Sequence, residues 1–344
     1  MDIGSNSVCV VGLGYIGLPT AAIIASRGVP VIGVDVNARA VETINAGGVH
    51  IVEPDLDIAV RTTVSSGLLT ATTEPQPAGA FVIAVPTPLQ ADKSPDVSKV
   101  RAAALAIAPV LAAGNLVLLE STSPVGTTEQ LLSWLAEARP DLSFPAADRP
   151  DADIRVAYCP ERVLPGRVMQ ELITNDRIIG GISKLCAERA AEFYQLFVSG
   201  DLHRTDARTA EMVKLTENSF RDVNIAFANE LSLICDRLGV NAWELIELAN
   251  FHPRVNILNP GPGVGGHCIA VDPWFLVDSA PQQARLIRTS LEVNDSKPGW
   301  VVEQASGVAA GLEEPVIACL GLAFKAKIDD QRESPAIEIV EALA

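Results

Sequence analysis

This 344-residue chain predicts an α/β fold built on a doubly wound parallel sheet, and two observations carry that expectation. Apolar runs of four or five residues recur through its first half, separated by segments with helical spacing. The first of these runs ends in a glycine-rich turn. Strands covered on both faces read as unbroken apolar runs, and their alternation with helices is the mark of a parallel sheet.

The elements follow in order. Val8-Cys9-Val10-Val11 is the first run and stops at Gly12; a small-residue helix around Ala21 to Ser26 leads to a second run, Pro30-Val31-Ile32-Gly33-Val34-Asp35. Further runs are Phe81-Val82-Ile83-Ala84-Val85, Leu116-Val117-Leu118-Leu119 and Ile154-Arg155-Val156-Ala157-Tyr158. The texture changes after Thr205. Residues 206–238 contain no Gly or Pro, and Val213, Phe220, Phe227, Leu231, Ile234 and Leu238 recur at intervals of three, four or seven. That pattern predicts one long amphipathic helix, with Gly239 placed to end it and Asn241 with Glu244 placed to start the next. A helical middle region of this length serves as a connector or dimer interface. Residues 315–323, Pro-Val-Ile-Ala-Cys-Leu-Gly-Leu-Ala, echo the first strand and turn, and predict a new β-α unit cut short soon afterwards. The expected organisation is a dinucleotide-binding domain over 1–203, a helical region carrying a cysteine loop over 204–300, and the beginning of a second Rossmann-like domain over 301–344.

Composition narrows the partners. Hydrophobic content of 48% supports a full core, and the net charge of −16 argues against nucleic acid or anionic membrane, both of which require a basic face. An anionic small ligand remains compatible, because a few arginines and helix N-termini suffice. Six dispersed cysteines without a CxxC pair exclude a disulfide framework and a zinc site, so reduced thiols in the cytoplasm and no metal are expected. The apolar stretch 8–25 has no Lys or Arg before it and is interrupted by Gly12, Gly14, Gly17 and Pro19. It therefore reads as strand, turn and helix rather than as a signal peptide.

Four motifs carry chemistry. In Gly12-Leu13-Gly14-Tyr15-Ile16-Gly17 the glycines allow a tight turn, close approach of a pyrophosphate and close helix packing. Asp35, at the end of the second run, suits the adenosine ribose, and no arginine follows immediately for a 2′-phosphate, so NAD is expected over NADP. Lys214 and Asn218, four apart on the long helix, share a face that would hold an alkoxide, or else a solvated face with Glu211 and Glu217. The glycine-rich stretch 259–268 ends in His267-Cys268, with Asp272 four residues on. Cys268 is either a nucleophile toward an aldehyde, with Asp272 assisting a later hydrolysis, or a buried inert thiol. Two segments leave strands where open sheets place ligands: Glu120-Ser121-Thr122-Ser123-Pro124-Val125-Gly126 and Tyr158-Cys159-Pro160-Glu161-Arg162-Val163-Leu164-Pro165-Gly166. Read structurally, Thr122 is a helix cap and Glu161 a surface charge.

Together these residues resemble the UDP-glucose/GDP-mannose dehydrogenase family, in matching order from Gly12 to Ser334-Pro335-Ala336. The most specific stretches are residues 160–166, residues 214–222 (Lys-Leu-Thr-Glu-Asn-Ser-Phe-Arg-Asp) and the Cys268 loop. The resemblance implies NAD as cofactor, a UDP-sugar substrate, a homodimer through the long helix, and a four-electron oxidation at C6 for bacterial surface polysaccharide synthesis. Cys268 would form a thiohemiacetal and then a thioester. Lys214 and Asn218 would stabilise the oxyanion, Asp272 and Glu161 would manage protons, and Thr122 would hold the water. Cofactor contacts would come from Gly12, Gly14, Tyr15, Ile16, Gly17, Asp35, Pro86, Thr87, Thr122 and Arg332. Substrate contacts would come from Glu161, Arg162, Val163, Leu164, Lys214, Asn218, Arg254, Gly265 and Lys325.

Two departures qualify the resemblance. Val271 stands where UDP-glucose enzymes carry Lys, which points to the N-acetylmannosamine branch. The shortened last domain leads to the expectation of NAD binding with poor UDP-sugar binding. Three rival readings stay open: a UDP-N-acetylglucosamine 6-dehydrogenase, a two-electron β-hydroxyacid-type dehydrogenase with no use for Cys268, and a non-catalytic NAD-binding fragment.

Overall fold

The computed structural model describes residues 7–146, 149, 151–324 and 331–344. Its elements run β1 (Val8–Val11), α1 (Gly17–Ser26), β2 (Val31–Val34), α2 (Ala38–Asn45), α3 (Leu56–Ser65), β3 (Leu69–Thr72), β4 (Ala80–Ile83) and α4 (Ser98–Ile107). They continue with β5 (Leu116–Leu119), α5 (Thr127–Ala138), β6 (Arg155–Tyr158), α6 (Val168–Thr174), β7 (Arg177–Gly181), α7 (Lys184–Tyr194) and β8 (Leu202–Asp206). Five helices follow: α8 (Ala207–Leu238), α9 (Ala242–Asn250), α10 (Asp272–Ser279), α11 (Arg285–Ala309) and α12 (Pro335–Leu343). The chain divides into two compact units, one comprising residues up to Pro88 and Pro95–Lys214, the other Leu89–Ser94 and Leu215–Ala344.

Among the described residues all eight strands lie in the first unit, in one sheet of order β3-β2-β1-β4-β5-β6-β7-β8. Every neighbouring pair is parallel except β6 with β7. Each central strand feeds two cores, because successive side chains point to opposite faces. Val8, Val10, Ala80, Val82, Leu116 and Leu118 pack on one side with α1 and α7, through residues such as Ile24 and Ala190. Cys9, Val11, Phe81, Ile83, Val117 and Leu119 pack on the other with α4 and α5, through residues such as Ile107 and Leu131. This is the doubly wound arrangement that the apolar runs predict.

The sequence runs do not announce β3, β7 and β8. Leu69-Thr70-Ala71-Thr72 alternates as an edge strand should, Arg177 opens β7 ahead of two glycines, and Leu202-His203-Arg204-Thr205-Asp206 is almost wholly polar. In the second unit α11 tolerates Pro298 in its interior. The expected β-strand over residues 315–323 does not form: residues 315–322 are exposed and belong to no helix or strand. A parallel strand needs neighbours for its N–H and C=O groups, and none lies beside this segment among the described residues.

Thr122 does not cap a helix either. Helix α5 starts after Gly126, and its end groups are met from α8, where fully buried Glu211 accepts from Gly126 N (2.5 Å), Thr128 N (2.8 Å) and Thr128 Oγ1 (2.6 Å). A carboxylate at a helix N-terminus satisfies orphan donors and complements the helix dipole. Glu211→Ala strands three buried donors, so it is expected to lower unfolding free energy by about 2–4 kcal/mol in denaturant titration.

Candidate active site

The first unit builds a nucleotide crevice where its strand order reverses. Connections from β1 and from β4 lead to opposite sides of the pair, and open parallel sheets bind ligands at such a point, beyond the carboxyl ends of the strands. The Gly12–Gly17 turn sits there. Gly12 has φ +95°, a Cβ on Gly17 would lie 1.7 Å from the Gly12 carbonyl oxygen, and a Cβ on Gly14 would meet nothing within 4 Å. Two glycines thus pack the turn while the third leaves bare backbone facing open space. Asp35, just past β2, is fixed by accepting from Leu13 N and Asn37 N, both at 2.9 Å. Half-buried Tyr15 and Ile16 complete the turn. Pro86 and Thr87 follow β4, and the Thr87 hydroxyl donates to the carbonyl of Thr122, beyond β5, at 2.6 Å. An open backbone turn with a carboxylate one strand away fits the diphosphate and ribose of NAD.

Beyond β6 the same unit holds a buried ion pair. Lys214 Nζ donates to Glu161 Oε1 (3.0 Å) and to the Glu161 carbonyl (2.9 Å), with the residues 5% and 7% exposed. Neither is the solvated surface charge that a structural reading allows. Burial alone would raise the Glu161 carboxyl, but the Lys214 ammonium and the Val163 N–H hold it below the ordinary range. Arg177, at the start of β7, is buried too, and donates to the carbonyls of Pro160 and Leu172 at 3.4 Å. Near it Tyr194 donates to Glu120 at 2.7 Å, and burial pushes the Cys159 thiol up to about 12. That thiol is inert. Arg162 and Val163 are half-buried and Leu164 is exposed.

The second unit carries the reactive-looking thiol. Cys268 is exposed, at the end of a loop whose backbone is pinned at both ends. Gly261 N donates to Asn229 Oδ1 (2.8 Å) and Gly266 N to the Arg332 carbonyl (3.0 Å). Glycine is required in between: a Cβ on Gly265 would lie 2.6 Å from Phe324 Cβ and from the Glu333 carbonyl oxygen, and Gly266 has φ +87°. The Cys268 carbonyl accepts from Val271 N (3.2 Å) and Asp272 N (2.9 Å), a turn that runs straight into α10. Asp272, 2% exposed, accepts from Asn218 Nδ2 at 2.5 Å. The structure therefore brings together Asn218 with Asp272, and Asp272 with the Cys268 backbone.

Arg254 is exposed just after α9, with its N–H bonded to His252 Nδ1 (3.3 Å), and Arg332 is exposed. Lys325 lies outside the described residues. Sequence reasoning passes over Arg177, Glu53 and the buried Asn229-Asn294-Asp222 chain that backs the loop (Asn229 Nδ2 to Asn294 Oδ1 2.9 Å, Asn294 Nδ2 to Asp222 Oδ1 2.7 Å). A lone Arg before an apolar run, or a Glu before a Pro, carries no signal of burial.

Known proteins bear on this arrangement. Residues 6–198 match the UDP-glucose/GDP-mannose dehydrogenase family, NAD binding domain, and residues 208–296 match the central domain of the same family. An NDP-N-acetyl-D-galactosaminuronic acid dehydrogenase of Ralstonia nicotianae is 66% identical over 343 residues, covering 100% of this chain and 81% of that protein. The UDP-N-acetyl-D-mannosamine dehydrogenase of Escherichia coli is 62% identical over 346 residues, covering 98% and 82%. The solved UDP-ManNAc dehydrogenase of Pyrococcus horikoshii has TM-score 0.91 and 43% identity, covering 98% of this chain and 80% of that one. With a nucleotide turn shaped for NAD and a glycine-pinned thiol, and matched along its length, the chain belongs to the UDP-glucose/GDP-mannose dehydrogenase family of NAD-dependent oxidoreductases.

Proposed function

We propose that the chain oxidises the C6 hydroxymethyl group of UDP-N-acetyl-D-mannosamine to the uronate, for bacterial surface polysaccharide synthesis in the cytoplasm. The observation that carries the reading is exposed Cys268, tied by its carbonyl to buried Asp272, which in turn holds Asn218. A two-electron dehydrogenase has no use for such a thiol. Bound NAD supplies the hydride acceptor, one molecule for each of the two oxidations. Cys268 adds to the C6 aldehyde as thiolate, giving a thiohemiacetal whose oxidation leaves a thioester. Water then releases the uronate and restores the thiol. Lys214 and Asn218 stabilise the oxyanion, Asp272 and Glu161 move protons in hydrolysis, and Thr122 orients the water. Arg162, Val163, Leu164, Arg254, Gly265 and Lys325 contact the substrate.

The Ralstonia relative favours a second reading, an N-acetylgalactosamine nucleotide, because its identity is 66% against 62% for the mannosamine enzyme. Epimers at C2 and C4 offered side by side distinguish these sugars and the N-acetylglucosamine alternative. We further read 1–203 as the NAD domain, 204–300 as a dimerising helical region and 301–344 as the start of a third domain. Phe220, Phe227 and Ile234, spaced by seven along α8, are 70%, 51% and 47% exposed, and Trp243 and Leu248 of α9 and Phe251 at its C-terminal cap are exposed as well. Apolar surface of this extent is covered by a partner, here a second copy.

Three outcomes are expected. UDP-N-acetylmannosamine yields two NADH per uronate, and Cys268→Ser lowers turnover about a thousandfold or more while NAD still binds; one NADH per product with an active serine variant sinks the reading. Phe220→Glu with Phe227→Glu converts a dimer to a monomer in sedimentation analysis, whereas a parent chain already monomeric refutes the interface. The third outcome concerns pH. Glu161 is held below its ordinary value of 4.5, so its contribution to stability is present above that pH and is lost as pH falls through the lower folded value. Glu161→Gln is expected to remove this acid limb from the stability profile and, by taking the carboxylate charge away from the buried Lys214 ammonium, to cost about 3 kcal/mol near neutrality.

A further inference from the structure

We propose that Glu53 is a positioning residue for the nucleotide sugar, holding residues 160–168 in the register that presents Arg162, Val163 and Leu164 without itself touching the ligand. The inference rests on the reading of that segment as a substrate contact. Glu53 lies in the connection between α2 and α3 and is 8% exposed. It spends both carboxylate oxygens on one distant stretch of backbone. Oε2 accepts from Gly166 N at 2.9 Å and Oε1 accepts from Val168 N at 2.7 Å. Charge-assisted bonds of this kind are strong, and a paired acceptor fixes direction as well as distance.

The location of these bonds sets their consequence. At its near end the segment is held by buried cations, Arg177 on the Pro160 carbonyl and Lys214 on the Glu161 carbonyl. Two further ties, Asn175 Nδ2 to the Arg162 carbonyl (2.6 Å) and Leu164 N to Glu171 Oε2 (2.9 Å), come from α6 and its C-terminal cap, just downstream. Residues 164–167 are all exposed, so no packed side chain of their own restrains them. Gly166, with φ +87°, adds none of the stiffness that a side chain brings. Glu53 is the tether that joins this exposed stretch to a part of the chain remote in sequence. Its removal frees the far end of the segment while the Lys214–Glu161 pair stays in place.

The test uses Glu53→Gln, which keeps the shape and one acceptor but turns an NH₂ donor toward a backbone N–H. Glu53→Asp, with the charge one methylene short, replaces it if the glutamine variant does not fold. Calorimetric dissociation constants for UDP-N-acetylmannosamine and for NAD are measured on each, with Leu164→Asp as a variant inside the segment, and amide exchange is followed over residues 160–168. The expected result is nucleotide-sugar affinity weakened about tenfold or more, NAD affinity unchanged and faster exchange in the segment. If Leu164→Asp weakens sugar binding and the Glu53 variants do not, the positioning role is overturned and the substrate reading of the segment stands. If neither changes sugar binding, the substrate reading falls and takes the proposal with it. Equal loss of NAD and sugar affinity with a lowered melting temperature assigns Glu53 to general stability, which also overturns the role.

Discussion

Burying charge in matched sets is the constraint on which the first unit's site depends. Glu120, Arg177, Glu161 and Lys214 are all less than a tenth exposed, and an unpaired ion so placed would cost several kcal/mol, on the order of the whole stability of a domain. Glu161 accordingly has Lys214, while Glu120 accepts from Tyr194 and faces Arg177, although burial still pushes its carboxyl up. The same bonds that neutralise charge also fix backbone. Lys214 takes the Glu161 carbonyl along with its carboxylate, and Arg177 takes the carbonyl one residue earlier. The backbone just after β6 is thereby held by charge-assisted bonds in addition to the packing of Val163 and Val168 against the core.

The second unit solves a different problem, that of exposing a thiol on a loop without letting the loop wander. Glycines remove the side chains that would collide with Phe324, Glu333, Pro298 and Pro335, so the backbone threads a space too narrow for any other residue. Amide anchors at Gly261 and Gly266 hold its path, and the former rests on the buried Asn229-Asn294-Asp222 chain between α8 and α11. Buried polar chains of this kind add rigidity only when every member is satisfied. The contrast with Cys159 shows what exposure does. Sealed among apolar and charged groups, that thiol is pushed up to about 12, whereas Cys268 meets solvent.

Much of this was legible beforehand, for reasons visible in particular residues. Val8–Val11 and Leu116–Leu119 are apolar throughout because both faces of the central strands are covered, and β5 was readable to its exact ends. The long helix was readable because a period near 3.6 over thirty residues has no competing explanation, and Asn241 caps its successor by accepting from Trp243 N and Glu244 N. Strands β7 and β8 were not readable: β7 is two isoleucines between Arg177 and a glycine pair and β8 is almost wholly polar, so their place in the sheet comes from pairing with each other and, for β7, with β6. The strand pattern at residues 315–323 was misleading for the opposite reason: its composition is right, but no strand lies beside it among the described residues.

The fold class, the nucleotide turn, the long helix and the residue types that a thiol-based oxidation needs can all be read from the order of the amino acids. These are local properties, written in periodicity, in glycine spacing and in which functional groups the chain possesses. Which charges are buried follows from how distant parts of the chain pack together. Glu211 reads as a solvated charge, and the residues around Lys214 and Glu161 leave both a site role and a surface role open, until elements from elsewhere in the chain close over them, because burial is a property of neighbours distant in sequence. The same holds for Glu53, whose two partners lie more than a hundred residues away and leave no trace in its own surroundings.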